Sequence, residues 1–181
     1  KTFSTYIALL TLCNFSCVYC YEKGQVDSYS TMDSQTLSDT ISWYKNIIHL
    51  NGYKKCKVCL YGGEPLLFES LLKQFVASLN NVCEAESVEL SYSMITNGFL
   101  LKKEICEYLI ENGLKEVQIT LDGCRDIHDQ RRMTKSGEGS FDTIIQNIQW
   151  VAANTDLLIT IRSSFDSTNS NEIKDLLYYL K

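Results

Sequence analysis

The sequence predicts an α/β domain built on a parallel sheet, and three observations carry that expectation. Apolar runs of strand length alternate with segments whose apolar residues recur at helical spacing. About five such strand–helix units fit along the 181 residues, and each leaves room for the crossover helix that joins parallel neighbours. The composition, 45% hydrophobic, supports one well-buried core at this length and does not call for a second domain.

The elements follow in order. Tyr6 to Thr11 is an apolar run without a helical stripe and reads as the first strand. Thr31 to Ser34 offers a helix cap, after which Leu37, Ile41, Tyr44 and Ile48 recur at helical spacing until Asn51-Gly52. Cys56 to Tyr61 is the second strand, and Leu71, Phe75 and Leu79 mark its helix. The third unit has a strand from Val88 to Thr96, a turn at Asn97-Gly98, and a helix through Ile105 and Leu109 to Asn112-Gly113. The fourth has Val117 to Leu121, a long polar connection, and a helix through Ile144, Ile148 and Val151. The fifth has Leu157 to Ile161 and a helical segment from about Asn171 through Leu176.

Strand alternation shows what one face of the sheet holds. Val117, Ile119 and Leu121 oppose Gln118, Thr120 and Asp122, and Tyr92 and Met94 oppose Ser91 and Ser93. A closed eight-stranded barrel fills its interior with branched apolar side chains. Here one face is largely polar, so it is expected to surround a polar ligand or to face solvent on an open sheet.

The first strand runs straight into Cys13-Asn14-Phe15-Ser16-Cys17-Val18-Tyr19-Cys20-Tyr21. Three thiols in one loop cannot supply the four ligands of a closed zinc or iron–sulfur site, so one coordination position would stay open for chemistry. Two other readings of the same residues stand beside this one. The cysteines could be core residues, or a zinc knuckle completed by one of Cys56, Cys59, Cys83, Cys106 and Cys124. Tyr61-Gly62-Gly63-Glu64-Pro65 ends the second strand, where two glycines let the backbone approach a ligand and the carboxylate can hold an ammonium. Thr96-Asn97-Gly98 and Thr120-Leu121-Asp122-Gly123 end the third and fourth strands. Ligands of parallel α/β sheets bind at those carboxyl ends.

This combination resembles the radical S-adenosylmethionine (radical SAM) enzymes, from the first strand to Arg162. The run from His128-Asp129-Gln130-Arg131-Arg132 to Gly137-Glu138-Gly139-Ser140-Phe141-Asp142 resembles the branch of anaerobic sulfatase and peptide maturases, many of which carry a SPASM auxiliary-cluster domain. The resemblance implies a partial (β/α)6 TIM-like barrel, with residues 1–181 as its core domain and a sixth unit and an auxiliary domain outside the chain shown. It implies a 4Fe-4S cluster on Cys13, Cys17 and Cys20, with S-adenosylmethionine on the open iron, cleaved to a 5′-deoxyadenosyl radical. Tyr19 would border the adenine, Gly62, Gly63 and Glu64 the amino group, Asn97 and Thr120 the ribose or carboxylate, and Arg132 the carboxylate. A peptide or protein substrate and an electron donor such as flavodoxin or ferredoxin are implied as partners. Arg162 fits less well, since the family often has Asn two residues after this arginine and here Ser164 stands there.

Other classes are weighed against this one. A net charge of −5 and a pI near 5.1 argue against a nucleic-acid partner. No run is long enough to span a bilayer and no signal peptide is visible, so no membrane role and a cytoplasmic location with reduced thiols are expected. Within enzymes, the alternative is a radical SAM enzyme acting on a small molecule, such as a molybdopterin-type cyclase. From another class, it is a non-catalytic iron–sulfur or zinc-binding module. Cys56 and Cys59 are read as packing residues on opposite strand faces, Cys124 as better placed to meet a substrate, and His128 as a surface or loop residue with a structural role.

Overall fold

The computed structural model describes residues 1–21 and 30–181. Its strands β1 (Thr2–Ala8), β2 (Lys55–Tyr61), β3 (Glu89–Thr96), β4 (Leu114–Thr120) and β5 (Leu158–Arg162) form one sheet in chain order, every neighbouring pair parallel. Helices α1 (Ser34–Asn51), α2 (Glu69–Ala85), α3 (Lys103–Glu111), α4 (Arg125–Arg131), α5 (Phe141–Asn154) and α6 (Ile173–Tyr179) alternate with the strands. The architecture is the five-stranded parallel α/β sheet that the periodicity predicts, consistent with the partial (β/α) barrel that the resemblance implies.

Local chemistry accounts for the boundaries. Asp33 caps α1 by accepting from the Thr36 amide at 2.7 Å, and Gly52 ends the helix in the left-handed region at φ 59°, which costs a glycine little. The core lies between the sheet and its helices. Cys56, Val58 and Leu60 of β2 and Val117 and Ile119 of β4 are all buried against Leu72, Phe75, Leu79 and Ile144. The opposite strand faces stay open: Lys57 and Tyr6 are exposed, and Cys59, Ser93 and Gln118 are half-buried. That polar face is the one the alternation predicts.

Three differences from the sequence reading have physical causes. The first strand lies upstream of the predicted run, because Thr2 pairs with Lys55 and Ala8 with Tyr61, while Leu9 and Leu10 are buried beyond the ladder. The long polar connection contains α4, a short helix whose periodicity is masked by charged residues. Cys59 is not a packing residue: it faces the open side, near Ser93 and Glu116, whereas Cys56 packs in the core near Cys83. Among the described residues no helix is long and apolar enough to cross a membrane.

Candidate active site

The cysteine loop leaves β1 and crosses the carboxyl ends of the strands, held from two sides. On one side Gly63 and Glu64 donate their amides to the carbonyls of Leu10 and Leu12, at 3.1 and 2.8 Å. A Cβ on Gly63 would overlap the Leu12 carbonyl and stand 2.6 Å from that of Thr11, so only glycine admits this approach. On the other side the loop runs antiparallel to residues 131–135. Ser16 and Val18 donate to the Met133 and Arg131 carbonyls at 2.9 and 3.0 Å, and Lys135 donates back to Asn14 at 2.8 Å.

The loop thereby brings Cys13, Cys17 and Cys20 to the wall of one pocket, together with Tyr19. Gly62, Gly63, Asn97, Thr120 and Arg132 line the same pocket from four further segments of chain. All eight cysteines are free thiols. Among the described residues no three His, Cys, Asp or Glu side chains converge as ligands of a single metal ion. Burial pushes the Cys13 thiol up to about 11 and raises that of Cys17, which the Arg132 guanidinium opposes.

Glu64 is the exception among the sequence-predicted residues. Its carboxylate stands behind the pocket wall, 0% exposed, with Oε1 accepting from Leu66 N at 3.0 Å and Thr96 Oγ1 at 2.7 Å, and Oε2 from Asn97 N at 2.7 Å. It caps the short 3-10 turn Pro65–Phe68 and ties β2 to the end of β3. Asn97 then spans to the cysteine loop, donating to Asn14 Oδ1 at 2.8 Å.

Some site residues escape sequence reading: Phe15, Tyr61 and Ser164 line the pocket. So does the exposed Arg162, which the sequence pattern fits less well. Asp122 is buried and does not line it. The Tyr19 hydroxyl donates to Asp122 Oδ2 and accepts from Arg132 Nη1 at 2.7 Å. Burial pushes that phenol up to about 12, with Arg132 opposing the shift, so it keeps the proton it donates. Arg131, one residue before the predicted Arg132, pairs with Asp166 at 2.9 Å and with Asp122 at 3.7 Å, and does not itself line the pocket. Cys124 does not reach the pocket and stands beside Glu172 and Asp175 instead.

His128 is neither exposed nor in a loop. It is fully buried on α4, with Nδ1 accepting from the Asp122 amide at 3.4 Å. That acceptor role assigns the proton to Nε2, which donates to Ser140 Oγ at 3.1 Å, and Ser140 donates on to the Arg132 carbonyl at 2.8 Å. Protonating Nδ1 would set an N–H against an N–H. Burial and then Arg132 accordingly hold the imidazole down to about 4. A depressed folded-state value means that the unfolded chain binds more protons below its own value, so stability is lost as pH falls. Between about pH 6.5 and 4 the metal-free chain should lose about 3 kcal/mol more than H128Q, measured by urea unfolding. Parallel pH profiles for the two proteins would remove His128 as the cause.

The Radical SAM superfamily profile matches residues 7–162. The chain belongs to the radical SAM superfamily. Among its radical SAM relatives is the GTP 3′,8-cyclase of Clostridium perfringens, 31% identical over 171 residues, a match covering 94% of this chain and 49% of that protein. Another is the cysteine-type anaerobic sulfatase-maturating enzyme of Clostridium novyi, 29% identical over 146 residues, 76% of this chain and 37% of the relative. The fold superposes on that of native anSMEcpe with bound AdoMet and Cp18Cys peptide, with a TM-score of 0.82 at 22% identity over 99% of this chain and 48% of the other. Methylornithine synthase gives a TM-score of 0.59 at 14% identity over 97% of this chain and 48% of the other. The matches therefore cover between 37% and 49% of the length of these proteins.

Proposed function

We propose that this chain is one domain, the catalytic core of a radical SAM enzyme that modifies a peptide or protein side chain. The observation that carries the proposal is a single pocket at the carboxyl ends of parallel strands, walled by three thiols, two glycines and a buried arginine. The donor set fits a 4Fe-4S cluster: three soft thiols suit iron, they share a wall rather than gathering on one point, and a fourth iron would remain free for S-adenosylmethionine. When bound, the cluster and S-adenosylmethionine supply a 5′-deoxyadenosyl radical, using an electron from a carrier such as flavodoxin or ferredoxin.

This chain's residues bind and orient. Cys13, Cys17 and Cys20 would hold the cluster, and Tyr19 would border the adenine. The Gly62-Gly63 backbone would face the amino group, with Glu64 fixing the peptide plane behind it. Asn97 and Thr120 would meet the ribose or carboxylate, and Arg132, buried and cationic, would meet the carboxylate. The polar inner face below the pocket, with Ser93, Glu116, Gln118 and Thr160, suits a polar substrate.

The peptide-directed reading is supported by the likeness to the sulfatase-maturating enzyme and to a peptide-bound fold neighbour. A small-molecule reading has its own support in the 31% identity to a GTP 3′,8-cyclase over nearly the whole chain. Anaerobic iron and sulfide analysis, with electron paramagnetic resonance of the reduced protein before and after S-adenosylmethionine, tests the cofactor assignment. A four-iron signal that shifts on addition is expected. Bound zinc, or a signal indifferent to S-adenosylmethionine, would leave a structural metal module instead. For the substrate, the full-length protein should change the mass of a peptide encoded beside it, and conversion of GTP alone would favour the cyclase reading.

A further inference from the structure

Asp122 does not touch the pocket, yet it holds a residue that does, and through it a second. Both of its oxygens are engaged. Oδ1 accepts from Ser164 N at 2.9 Å, and Oδ2 accepts from the Tyr19 hydroxyl. The same phenol oxygen accepts from Arg132 Nη1 at 2.7 Å. Tyr19 is also held on its face, because the Arg131 guanidinium stands 5.2 Å from the ring centroid while Nη1 of that arginine is anchored by Asp166 and Thr168. The Nε of Arg132, like that of Arg131, is buried without a hydrogen-bond partner among the described residues. The Arg132 guanidinium, 5.8 Å from the Phe15 ring centroid, makes its one side-chain hydrogen bond among the described residues to Tyr19. An arginine left to itself samples many rotamers, and fixing it before a ligand arrives removes an ordering cost from binding.

We propose that Asp122 is a positioning residue that sets the pocket's affinity for S-adenosylmethionine through the Tyr19 hydroxyl, which aims the Arg132 guanidinium at the ligand's carboxylate. The inference rests on the radical SAM cofactor reading above and adds to it an outer carboxylate and a specific reason for tyrosine at position 19. Phenylalanine would border an adenine equally well but could not link Asp122 to Arg132. Asparagine at position 122 would offer one acceptor to two donors, Ser164 N–H and Tyr19 O–H, and turn an NH2 toward the other. If that NH2 met Tyr19, it would compete with Arg132 for the phenol oxygen.

The test is a double-mutant cycle on the dissociation constant of S-adenosylmethionine, measured by anaerobic equilibrium dialysis with cluster-loaded protein. D122N and Y19F should each weaken binding about tenfold, and the double variant should also be weakened only about tenfold, since both changes cut the same chain of hydrogen bonds. Metal-free Y19F should melt within a few degrees of the unsubstituted protein, because one part-buried hydroxyl is removed without opening a cavity. A double variant weakened about a hundredfold overturns the proposal, since additive losses mean independent roles. Y19F that binds as tightly as the unsubstituted protein overturns it as well. Should D122N not fold, the cycle of Y19F with R132Q decides the same point, with additive losses again the overturning result. Failure of the parent reading looks different: unsubstituted protein that carries four iron atoms but has no affinity for S-adenosylmethionine sinks both, whereas normal binding with additive variants sinks this inference alone.

Discussion

Gly63→Ala is expected to abolish cluster loading. The added Cβ meets only backbone, the Leu12 carbonyl group and the Thr11 oxygen, and neither can swing aside like a side chain. Relief requires the loop base to move away from β2, which breaks the bonds from Gly63 N to Leu10 O and from Glu64 N to Leu12 O. The cost should be on the order of 4 kcal/mol, which for a chain of this size lowers the melting temperature by about 10 °C. Iron content after anaerobic reconstitution should fall below about a tenth of normal if the loss exceeds the one decade that 1.4 kcal/mol represents. Gly137→Ala is the control. That glycine, unlike Gly63, has a positive φ, 85°, and its Cβ would meet nothing within 4 Å, so only the backbone preference of about 1 kcal/mol is lost. Equal losses from both substitutions would show that close approach at Gly63 is not what matters.

Glu64→Ala should be the second most damaging change, through the fold rather than through direct loss of a ligand contact. It removes the acceptor of three buried donors, Leu66 N, Asn97 N and Thr96 Oγ1. Each buried donor left unpaired costs about 1–3 kcal/mol, so a total of roughly 4 kcal/mol is expected. Glu64→Gln should cost about half as much, because its NH2 must face at least one of the two backbone N–H groups whichever way the amide turns. Calorimetry and dialysis distinguish this from a direct contact. If the carboxylate itself grips the ligand, E64Q will melt normally and lose only affinity for S-adenosylmethionine. If it positions Asn97, the melting temperature and affinity will fall together.

The sheet was legible because its signals are periodic. Val58 and Leu60, or Val117 and Ile119, alternate in strands whose other face is polar, and Leu37, Tyr44 and Ile48 mark one stripe of α1. Glycines that bring backbone to a site were legible for a similar reason, since the pair Gly62-Gly63 has few other uses at the end of a strand. Side-chain direction at those ends was not. Glu64 stands two residues past Gly62, whose φ is 128°, and its carboxylate goes to the Thr96 side, away from the pocket. The adjacent arginines divide their work for a reason that sequence order hides: Arg131 is the last residue of α4 and Arg132 lies beyond it, so Arg131 covers the face of the Tyr19 ring and pairs with Asp166, while Arg132 reaches the Tyr19 hydroxyl and lines the pocket. His128 is buried because α4 packs against α5, where the imidazole meets Ser140 and the Phe141 ring, a consequence of a short helix that carries little apolar pattern.

The strand-like contact between the cysteine loop and residues 131–135 joins partners more than a hundred positions apart, Phe15 with Thr134. On a ribosome adding about 5–20 residues each second, the thiols therefore emerge roughly 6–24 s before the segment that will hold their loop has been made. During that interval Cys13, Cys17 and Cys20 belong to a tether without its second anchor, open to oxidants and to stray zinc. A cluster bound at these thiols would sit in a loop anchored on both sides only after the Arg131 and Met133 carbonyls are present to receive Val18 and Ser16.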